Sequence, residues 1–203
     1  ASIPVPKAVA DRQRWGWMAQ LYSVRSSESW GVGDYGDLRH LLKDAAEKTH
    51  ADFMLINPIH ACAPIPPLEP SPYLPESRRF LNVTYIRPQD IAEYADLSES
   101  DKAEVARLHA QVSAANDDVN PMDINSAWCH KRQALKIIFR QPRSVERQSA
   151  FERFKEQAGP DLKAFAAWSV AFEVWGAPWE TSWFNDTNRD SPEVAELIRE
   201  HAD

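Results

Sequence analysis

The fold class of this chain is decided by residues 17–57, which open with Trp17-Met-Ala-Gln-Leu-Tyr-Ser-Val24 and close with Asp52-Phe-Met-Leu-Ile-Asn57. The first segment is rich in apolar and β-forming residues and predicts a strand. The second is a short, nearly continuous apolar run, typical of a strand buried on both faces of a parallel sheet. Apolar residues between the two segments repeat with helical spacing, at Leu38, Leu41, Leu42, Ala45 and Ala46. Strand, helix and strand in this order predict one βαβ unit.

Side-chain caps predict where the helices begin. The helix of the βαβ unit begins near Gly36, after a cap at Asp34 or Asp37. Beyond residue 98 the pattern is helical, and further starts are predicted after Ser98, Asp123, Ser144 and Ser191 and at Pro160. The last of these helices is still periodic where the sequence stops, and two parallel strands cannot cover their own edges. We therefore expect the chain to be part of something larger.

A proline-rich segment separates the βαβ unit from these helices. Residues 61–75 hold six of the fifteen prolines. Proline lacks an N–H and restricts the residue before it, so regular helix and central strand are excluded here. The segment also contains Ile65, Leu68, Tyr73 and Leu74, whereas flexible linkers are usually polar. We expect a rigid, packed loop, of the kind that often carries functional side chains.

Composition excludes several functional classes. The formal net charge is −7 and no block of Lys and Arg occurs, which argues against nucleic-acid binding. No apolar run approaches the ~20 residues of a membrane span, and the N-terminus lacks the pattern of a signal peptide, so a cytoplasmic protein is expected. Cys62 and Cys129 are expected to be reduced, buried thiols. Eight Trp residues mildly favour a carbohydrate ligand.

Two local patterns have a functional and a structural interpretation. Gly31-Val-Gly33-Asp-Tyr-Gly36 matches the dinucleotide-binding pattern GxGxxG, but several residues intervene after the strand and no acidic residue ends the second strand. The alternative is a glycine-shaped turn, with Trp30 packed beneath it or lining a cleft. His60 follows the second strand, where a barrel of parallel strands places its active site. The alternative is a hydrogen-bonded structural residue, which is the commoner role of a lone histidine.

The residues alone therefore predict a parallel α/β fragment with a candidate functional loop at 57–82. Acidic residues are abundant, yet their spacing assigns no pair to acid and nucleophile roles. The charged runs at 99–107 and 146–155 fall on predicted helices and are interpreted as solvated faces. No reaction follows from these patterns.

Three blocks in a fixed order resemble one family. They are residues 14–34, which contain Ser29-Trp-Gly-Val-Gly-Asp34, residues 51–60, and residues 70–82, which contain Ser71-Pro-Tyr73. This sequence is similar to the bacterial 4-α-glucanotransferases of glycoside hydrolase family 77. The resemblance extends more loosely over the rest of the chain. One departure is Asn82-Val-Thr-Tyr85, where the family usually has Asn-Pro-x-Tyr.

The resemblance implies an α/β fold, namely part of a (β/α)8 TIM barrel with its first two parallel strands and a largely helical insertion subdomain. Residues 1–60 would be the first βαβ unit, 61–97 the Pro-rich substrate loop and connection, and 98–203 the insertion, truncated at its C-terminus. Larger bacterial members carry domains ahead of the barrel, and no such domain is expected within residues 1–203. The partner expected within the protein is the remainder of the same barrel.

The implied activity is retaining transfer of an α-1,4-glucan segment between maltooligosaccharides, without cofactor or metal. The family's catalytic carboxylates lie on later strands, so no catalytic residue is assigned here and the chain alone is expected to be inactive. Tyr73 matches the tyrosine that stacks under the sugar at the cleavage point. The other substrate-binding candidates come from the same matched blocks: Asn57, His60, Ser71, Arg79 and Asn82. An α-amylase-like hydrolase and a non-catalytic glucan-binding fragment are the alternatives.

Overall fold

A computed structural model describes residues 12–188 and 190–201. Strands β1 (Gly16–Ala19) and β2 (Phe53–Ile56) pair in parallel, with Gly16 opposite Phe53 and Ala19 opposite Ile56. Helix α1 (Tyr35–Thr49) connects them, which confirms the predicted βαβ order. The first strand is shorter than predicted, because residues 21–23 form a 3-10 turn instead. The N–H of Leu21 donates to the Asn57 side chain at 2.6 Å rather than to a neighbouring strand.

Only one face of the parallel pair is covered. Met18, Phe53 and Leu55 are 77%, 54% and 57% exposed, whereas Met54 and Ile56 are partly buried. The expectation that the second strand is buried on both faces is therefore wrong for this chain. The physical reason is the size of the sheet, since β1 and β2 have no third neighbour within the described ranges.

An antiparallel ribbon, which the sequence analysis missed, brackets the proline-rich loop. Strand β3 (His60–Ala61) pairs with β4 (Ser77–Leu81), with His60 opposite Leu81 and Ala61 opposite Ser77. The register shifts between His60 and Ala61, as in a bulge. The chain therefore leaves the ribbon at residue 62 and returns to it at residue 76, so the two ends of the proline-rich loop lie next to each other.

The rest of the described chain is helical. Short 3-10 turns at Val83–Tyr85, Pro88–Asp90 and Ala92–Tyr94 lead into the helices. The helices are α2 (Glu99–Ser113), α3 (Ile124–Phe139), α4 (Val145–Trp175), α5 (Trp183–Asp186) and α6 (Pro192–Glu200). Gly159 interrupts α4 with φ 63° and ψ −152°, so a helical segment restarts at Pro160 as predicted. No described helix combines the length and apolar character needed to cross a membrane.

Two apolar clusters hold these elements together. The first joins Trp30 to α2 and α3 through Val105, Leu108 and Ile138, which confirms the packed position predicted for Trp30. The second joins the proline-rich loop to α3 and α4. Its buried members are Ala63, Leu68, Trp128, Phe172 and Ala177. The loop is therefore packed, as its apolar residues predicted.

The two cysteines do not both behave as expected. Both thiols are free. Cys62 is partly buried at the start of the proline-rich loop, and burial raises its pKa to about 11. Cys129 is exposed, so the expectation of a buried thiol is wrong for this residue. It lies on the solvent side of α3, next to the buried Trp128.

Candidate functional site

The start of α1 is built around a buried group of ions. Asp34 caps the helix by accepting hydrogen bonds from the N–H groups of Gly36 and Asp37, and the Asp37 carboxylate accepts from the N–H of Asp34. The Arg87 side chain, 3% exposed, places Nη2 2.8 Å from Asp34 Oδ1 and 2.7 Å from Asp37 Oδ1. Its Nη1 donates to Glu28 at 2.9 Å. One guanidinium thus fixes the turn before α1 and the helix start together.

The surroundings of the two aspartates shift their pKa values in opposite directions. Burial raises the pKa of Asp34 above its ordinary value, although Lys131 and Arg87 oppose the shift. Burial acts in the same sense on Asp37, but hydrogen bonds from Ser29, Ser26 and Arg87 outweigh it and hold its pKa below the ordinary value. Both carboxylates are nearly inaccessible to solvent. They are structural groups and are not available to a substrate.

This network also explains the glycine pattern. A Cβ on Gly36 would lie 2.3 Å from Cζ of Arg87, and a Cβ on Gly33 would lie 2.0 Å from the carbonyl oxygen of Leu21. Glycine is needed at both positions because the backbone of the turn passes so close to its neighbours. The structural interpretation of the GxGxxG pattern therefore agrees with the geometry.

A cavity of about 260 Å³ lies beside this network, under the proline-rich loop. Its polar lining includes Asn82, Tyr85 and Lys131, and Trp128 and Leu68 contribute apolar surface. Tyr85 is buried, and burial raises its pKa to about 12. The cavity is thus enclosed by the loop, the turn after β4 and helix α3.

Lys131 is the functional candidate that the sequence analysis missed. It is 1% exposed, and its Nζ donates to the carbonyl oxygen of Thr84 at 2.6 Å. Burial lowers the pKa of Lys131 to about 8, although the charge of Asp34 opposes the shift. The available signal was its position on α3, in the same buried row as Ala127, Ala134 and Ile138. A lysine in a buried apolar row needs a hydrogen-bond acceptor, an opposite charge or a cavity, because burying an unpaired ammonium group is costly.

Two of the predicted site residues use side-chain polar atoms in hydrogen bonds within the protein. Asn57, 3% exposed, accepts from the N–H of Leu21 at 2.6 Å and donates to Pro58 O and Tyr85 Oη at 2.8 and 3.1 Å. Asn82 Oδ1 accepts from Cys62 Sγ at 3.3 Å and from the N–H of Thr84 at 2.9 Å. Asn57 lies beneath the site, whereas Asn82 also lines the cavity.

The other predicted residues lie on the ribbon and the loop. Ser71 is partly buried, and its Oγ accepts from the N–H of Tyr73 at 3.4 Å; Tyr73 is 58% exposed. His60 is partly buried on β3 and makes no side-chain hydrogen bond to the described part of the chain. Arg79 forms an ion pair with α4, where its Nη2 lies 2.5 Å from Asp161 Oδ2. The structure thus joins Ser71 and Tyr73 by a hydrogen bond, whereas the charge of Arg79 is paired with Asp161.

No group of three or more His, Cys, Asp or Glu side chains that could hold a metal ion occurs within residues 12–188 and 190–201.

Comparison with known proteins identifies the family. The 4-alpha-glucanotransferase model of glycoside hydrolase family 77 matches residues 19–203. The chain is 40% identical over 207 residues to a 4-alpha-glucanotransferase of Mycobacterium tuberculosis, covering 99% of this chain and 28% of that protein. A 4-alpha-glucanotransferase of Haemophilus influenzae is 33% identical over 164 residues, which are 77% of this chain and 23% of that protein.

A solved structure agrees with this result. The amylomaltase from Corynebacterium glutamicum is 38% identical and superposes with a TM-score of 0.75, covering 92% of this chain and 25% of that one. The chain spans about a quarter of the length of these relatives. The chain belongs to the 4-α-glucanotransferase family, glycoside hydrolase family 77.

Proposed function

We propose that this chain is part of an enzyme that transfers α-1,4-glucan segments between maltooligosaccharides with retention. The observation that carries the proposal is the family match over residues 19–203. The position of the Ser71-Pro-Tyr73 segment supports it, because this segment presents an exposed aromatic ring on a packed loop beside a cavity.

The βαβ unit is proposed to be the first part of a (β/α)8 barrel. Residues 1–60 would form that unit, 61–97 the substrate loop and connection, and 98–203 the insertion subdomain. The exposed face of β1 and β2 supports this arrangement, since further strands and helices of the same barrel would cover it.

The substrate site proposed for this chain is centred on Tyr73. Its ring would stack on the apolar face of a glucose unit, because the loop around it is already ordered and costs little entropy on binding. Ser71, His60 and Asn82 would line the same region, whereas Asn57 would support it from below. Arg79, which is paired with Asp161, would contribute at the edge of the site.

The catalytic carboxylates are proposed to come from outside this chain. Asp34 and Asp37, beside the cavity, support this view because both are buried against Arg87. Neither cofactor nor metal is needed for such a transfer, which uses carboxylates alone. We further propose that the enzyme acts on maltose- and glycogen-derived oligosaccharides in the cytoplasm, without binding nucleic acid or membrane.

Products formed from maltotriose test this function in the full-length enzyme. A transferase yields glucose together with longer maltooligosaccharides. Net hydrolysis without longer products would instead show the α-amylase-like alternative, and binding without turnover would show a non-catalytic module. The isolated 203-residue chain is expected to give no products, because it carries no assigned catalytic carboxylate. Glucan transfer by a preparation of the isolated chain that is free of host enzymes would contradict the proposal that the catalytic carboxylates lie outside this chain.

A further inference from the structure

Lys131 joins the helical part of the chain to the turn that follows β4. It lies on α3, and its Nζ donates to the carbonyl oxygen of Thr84, which belongs to the turn Val83–Tyr85. The side chain is almost completely buried. A buried ammonium group is costly unless it gains a partner, so the role of Lys131 is to be found at the turn that it contacts.

The turn contacted by Lys131 also holds the two ends of the proline-rich loop. Thr84 donates to Asn82 Oδ1 through its N–H at 2.9 Å and through its hydroxyl at 2.7 Å. The same oxygen accepts from Cys62 Sγ at 3.3 Å, and the N–H of Asn82 donates to the carbonyl oxygen of Ile59 at 3.0 Å. Cys62 follows β3 and Asn82 follows β4. A chain of hydrogen bonds therefore runs from Lys131 to both ends of the loop.

The charge of Lys131 adds a second contact, with the start of α1. Asp34 and Asp37 attract the ammonium group, whereas Arg87 repels it. The ammonium form of Lys131 is thus held by the hydrogen bond at Thr84 and by the two carboxylates together.

Lys131 is also poised to change its charge. The other ionisable groups that line the cavity belong to Tyr22, Cys62, Glu69 and Tyr85. Burial lowers the pKa of Lys131 to about 8, whereas it raises those of Cys62 and Tyr85 to about 11 and about 12. As the pH rises through about 8, Lys131 therefore loses its proton while Cys62 and Tyr85 keep theirs. The hydrogen bond at Thr84 then weakens, because a charge-assisted hydrogen bond is about twice as strong as a neutral one.

We propose that Lys131 is a positioning residue for the substrate site, and that its ammonium form fixes the turn at Thr84 and thereby holds Asn82 and the proline-rich loop in place to receive the sugar. Without the charge, the turn gains freedom that the sugar must remove on binding, which lowers affinity. The inference rests on the proposed glucanotransferase activity and adds a residue that acts through the loop, without contact to the substrate.

The pH dependence of KM for maltotriose in the full-length enzyme tests the proposal. In wild type we expect KM to rise as the pH passes about 8, because only the enzyme with a protonated Lys131 holds the loop ready for the sugar. In Lys131→Met we expect KM to be about tenfold above wild type at neutral pH and to show no further rise. The effect should be larger on KM than on kcat, since a bound sugar itself holds the loop. Methionine suits a buried position, so this variant removes mainly the charge and the hydrogen bond.

Lys131→Arg and Lys136→Met are the matched variants. Arginine keeps its charge throughout this pH range, so in Lys131→Arg the rise in KM should move to higher pH or disappear. Lys136 is exposed on the same helix, and Lys136→Met should keep the wild-type KM and its rise. A lysine that only stabilises the fold would lower the melting temperature of Lys131→Met without changing the pH dependence of KM.

Alkylation of Cys62 by iodoacetamide reports on the loop independently of activity. At neutral pH we expect Cys62 of the full-length enzyme to react about tenfold faster in Lys131→Met than in wild type, because the turn that holds its hydrogen-bond acceptor is released. The exposed Cys129 is the internal reference and should react equally in both proteins. Mass spectrometry of the two cysteine peptides gives the rates.

Three results would overturn the inference. They are a wild-type KM that stays constant as the pH passes about 8, a rise in KM that persists in folded Lys131→Met, and equal alkylation of Cys62 in the two proteins. The first needs no variant and so applies even if substitution of Lys131 prevents folding. Any of these results in an enzyme that transfers glucan leaves the proposed function intact, whereas a wild type that forms no longer maltooligosaccharides from maltotriose overturns that function itself.

Discussion

Tyr73 and Asn57, both predicted from the matched blocks to bind substrate, differ in how many of their polar atoms remain available. Asn57 uses its amide oxygen and its amide nitrogen to hold Leu21, Pro58 and Tyr85 in place. Tyr73 leaves 58% of its surface open, and its hydroxyl has no described partner. The physical difference is desolvation, since a satisfied buried amide gains nothing from a sugar hydroxyl. At the residue scale, Tyr73 is therefore the candidate that a substitution tests most directly.

We expect Tyr73→Ala to lower kcat/KM on maltotriose by about 1–3 kcal/mol of transition-state binding in the full-length enzyme. The reason is the loss of a preordered ring under the sugar, while the loop itself remains packed through Leu68 and Ala63. Steady-state rates and the melting temperature are the measurements, and the melting temperature should change little.

Tyr73→Phe is the matched control, because it keeps the ring and removes only the hydroxyl. It should retain most of the activity if stacking dominates. A loss of about 3 kcal/mol or more of stability in Tyr73→Ala, with activity recovered on cooling, would instead identify a core residue. Unchanged kinetics at full stability would remove Tyr73 from the site.

Lys131 shows why single residues were harder to predict than motifs. It has an ordinary place in a helical pattern, and its partners Thr84 and Asp34 are distant in sequence. These contacts leave no local signal in the sequence.

At the scale of elements, helix starts were the most predictable feature because a cap is a local interaction. The side chains of Asp34, Ser98, Asp123, Ser144 and Ser191 each accept the backbone N–H groups that the cap pattern predicted. The β3–β4 ribbon was missed because its pairing is irregular and joins segments on either side of a proline-rich loop. Proline excludes helix within the loop but says nothing about what pairs at its ends.

The start of α1 depends on Arg87, and this dependence can be tested. Arg87→Met removes the cation shared by Asp34 and Asp37, and leaving buried carboxylates unpaired costs about 3–5 kcal/mol. Urea denaturation at pH 7 is expected to show this loss of unfolding free energy. The unpaired carboxylates bind protons more readily in the folded variant than in the unfolded chain. The difference in unfolding free energy between wild type and the variant should therefore become smaller as the pH falls from 7 toward 5.

Arg107→Met provides the control for this experiment. Arg107 pairs with Glu104 on the surface of α2, where an ion pair contributes little to stability. Its loss should leave the urea midpoint nearly unchanged at both pH values. A deficit for Arg87→Met that is small, or that grows as the pH falls, would contradict the buried-network interpretation.

At the scale of the whole molecule, one face of the parallel sheet is uncovered in this chain. Whether that face is exposed to solvent in the full protein depends on the elements around it. Met18 is 77% exposed next to Phe53 and Leu55, which are also more than half exposed. Such a run of apolar side chains along a two-stranded sheet is typical of a surface that another part of the protein covers. The proposed barrel would supply that cover, whereas an isolated chain would leave the face open to solvent.

Oxidation of Met18 distinguishes these two situations. Dilute hydrogen peroxide should convert Met18 to its sulfoxide at least about tenfold faster in the isolated chain than in the full-length enzyme, because exposure controls the rate. Mass spectrometry of the peptide containing Met18 gives the rate. Met122 is the internal reference, since it is partly buried beside the cavity, away from the strands. Its rate should differ little between the two proteins. Equal oxidation of Met18 in both would show that the rest of the enzyme leaves this face uncovered, and the proposal that β1 and β2 open a closed barrel would then fail.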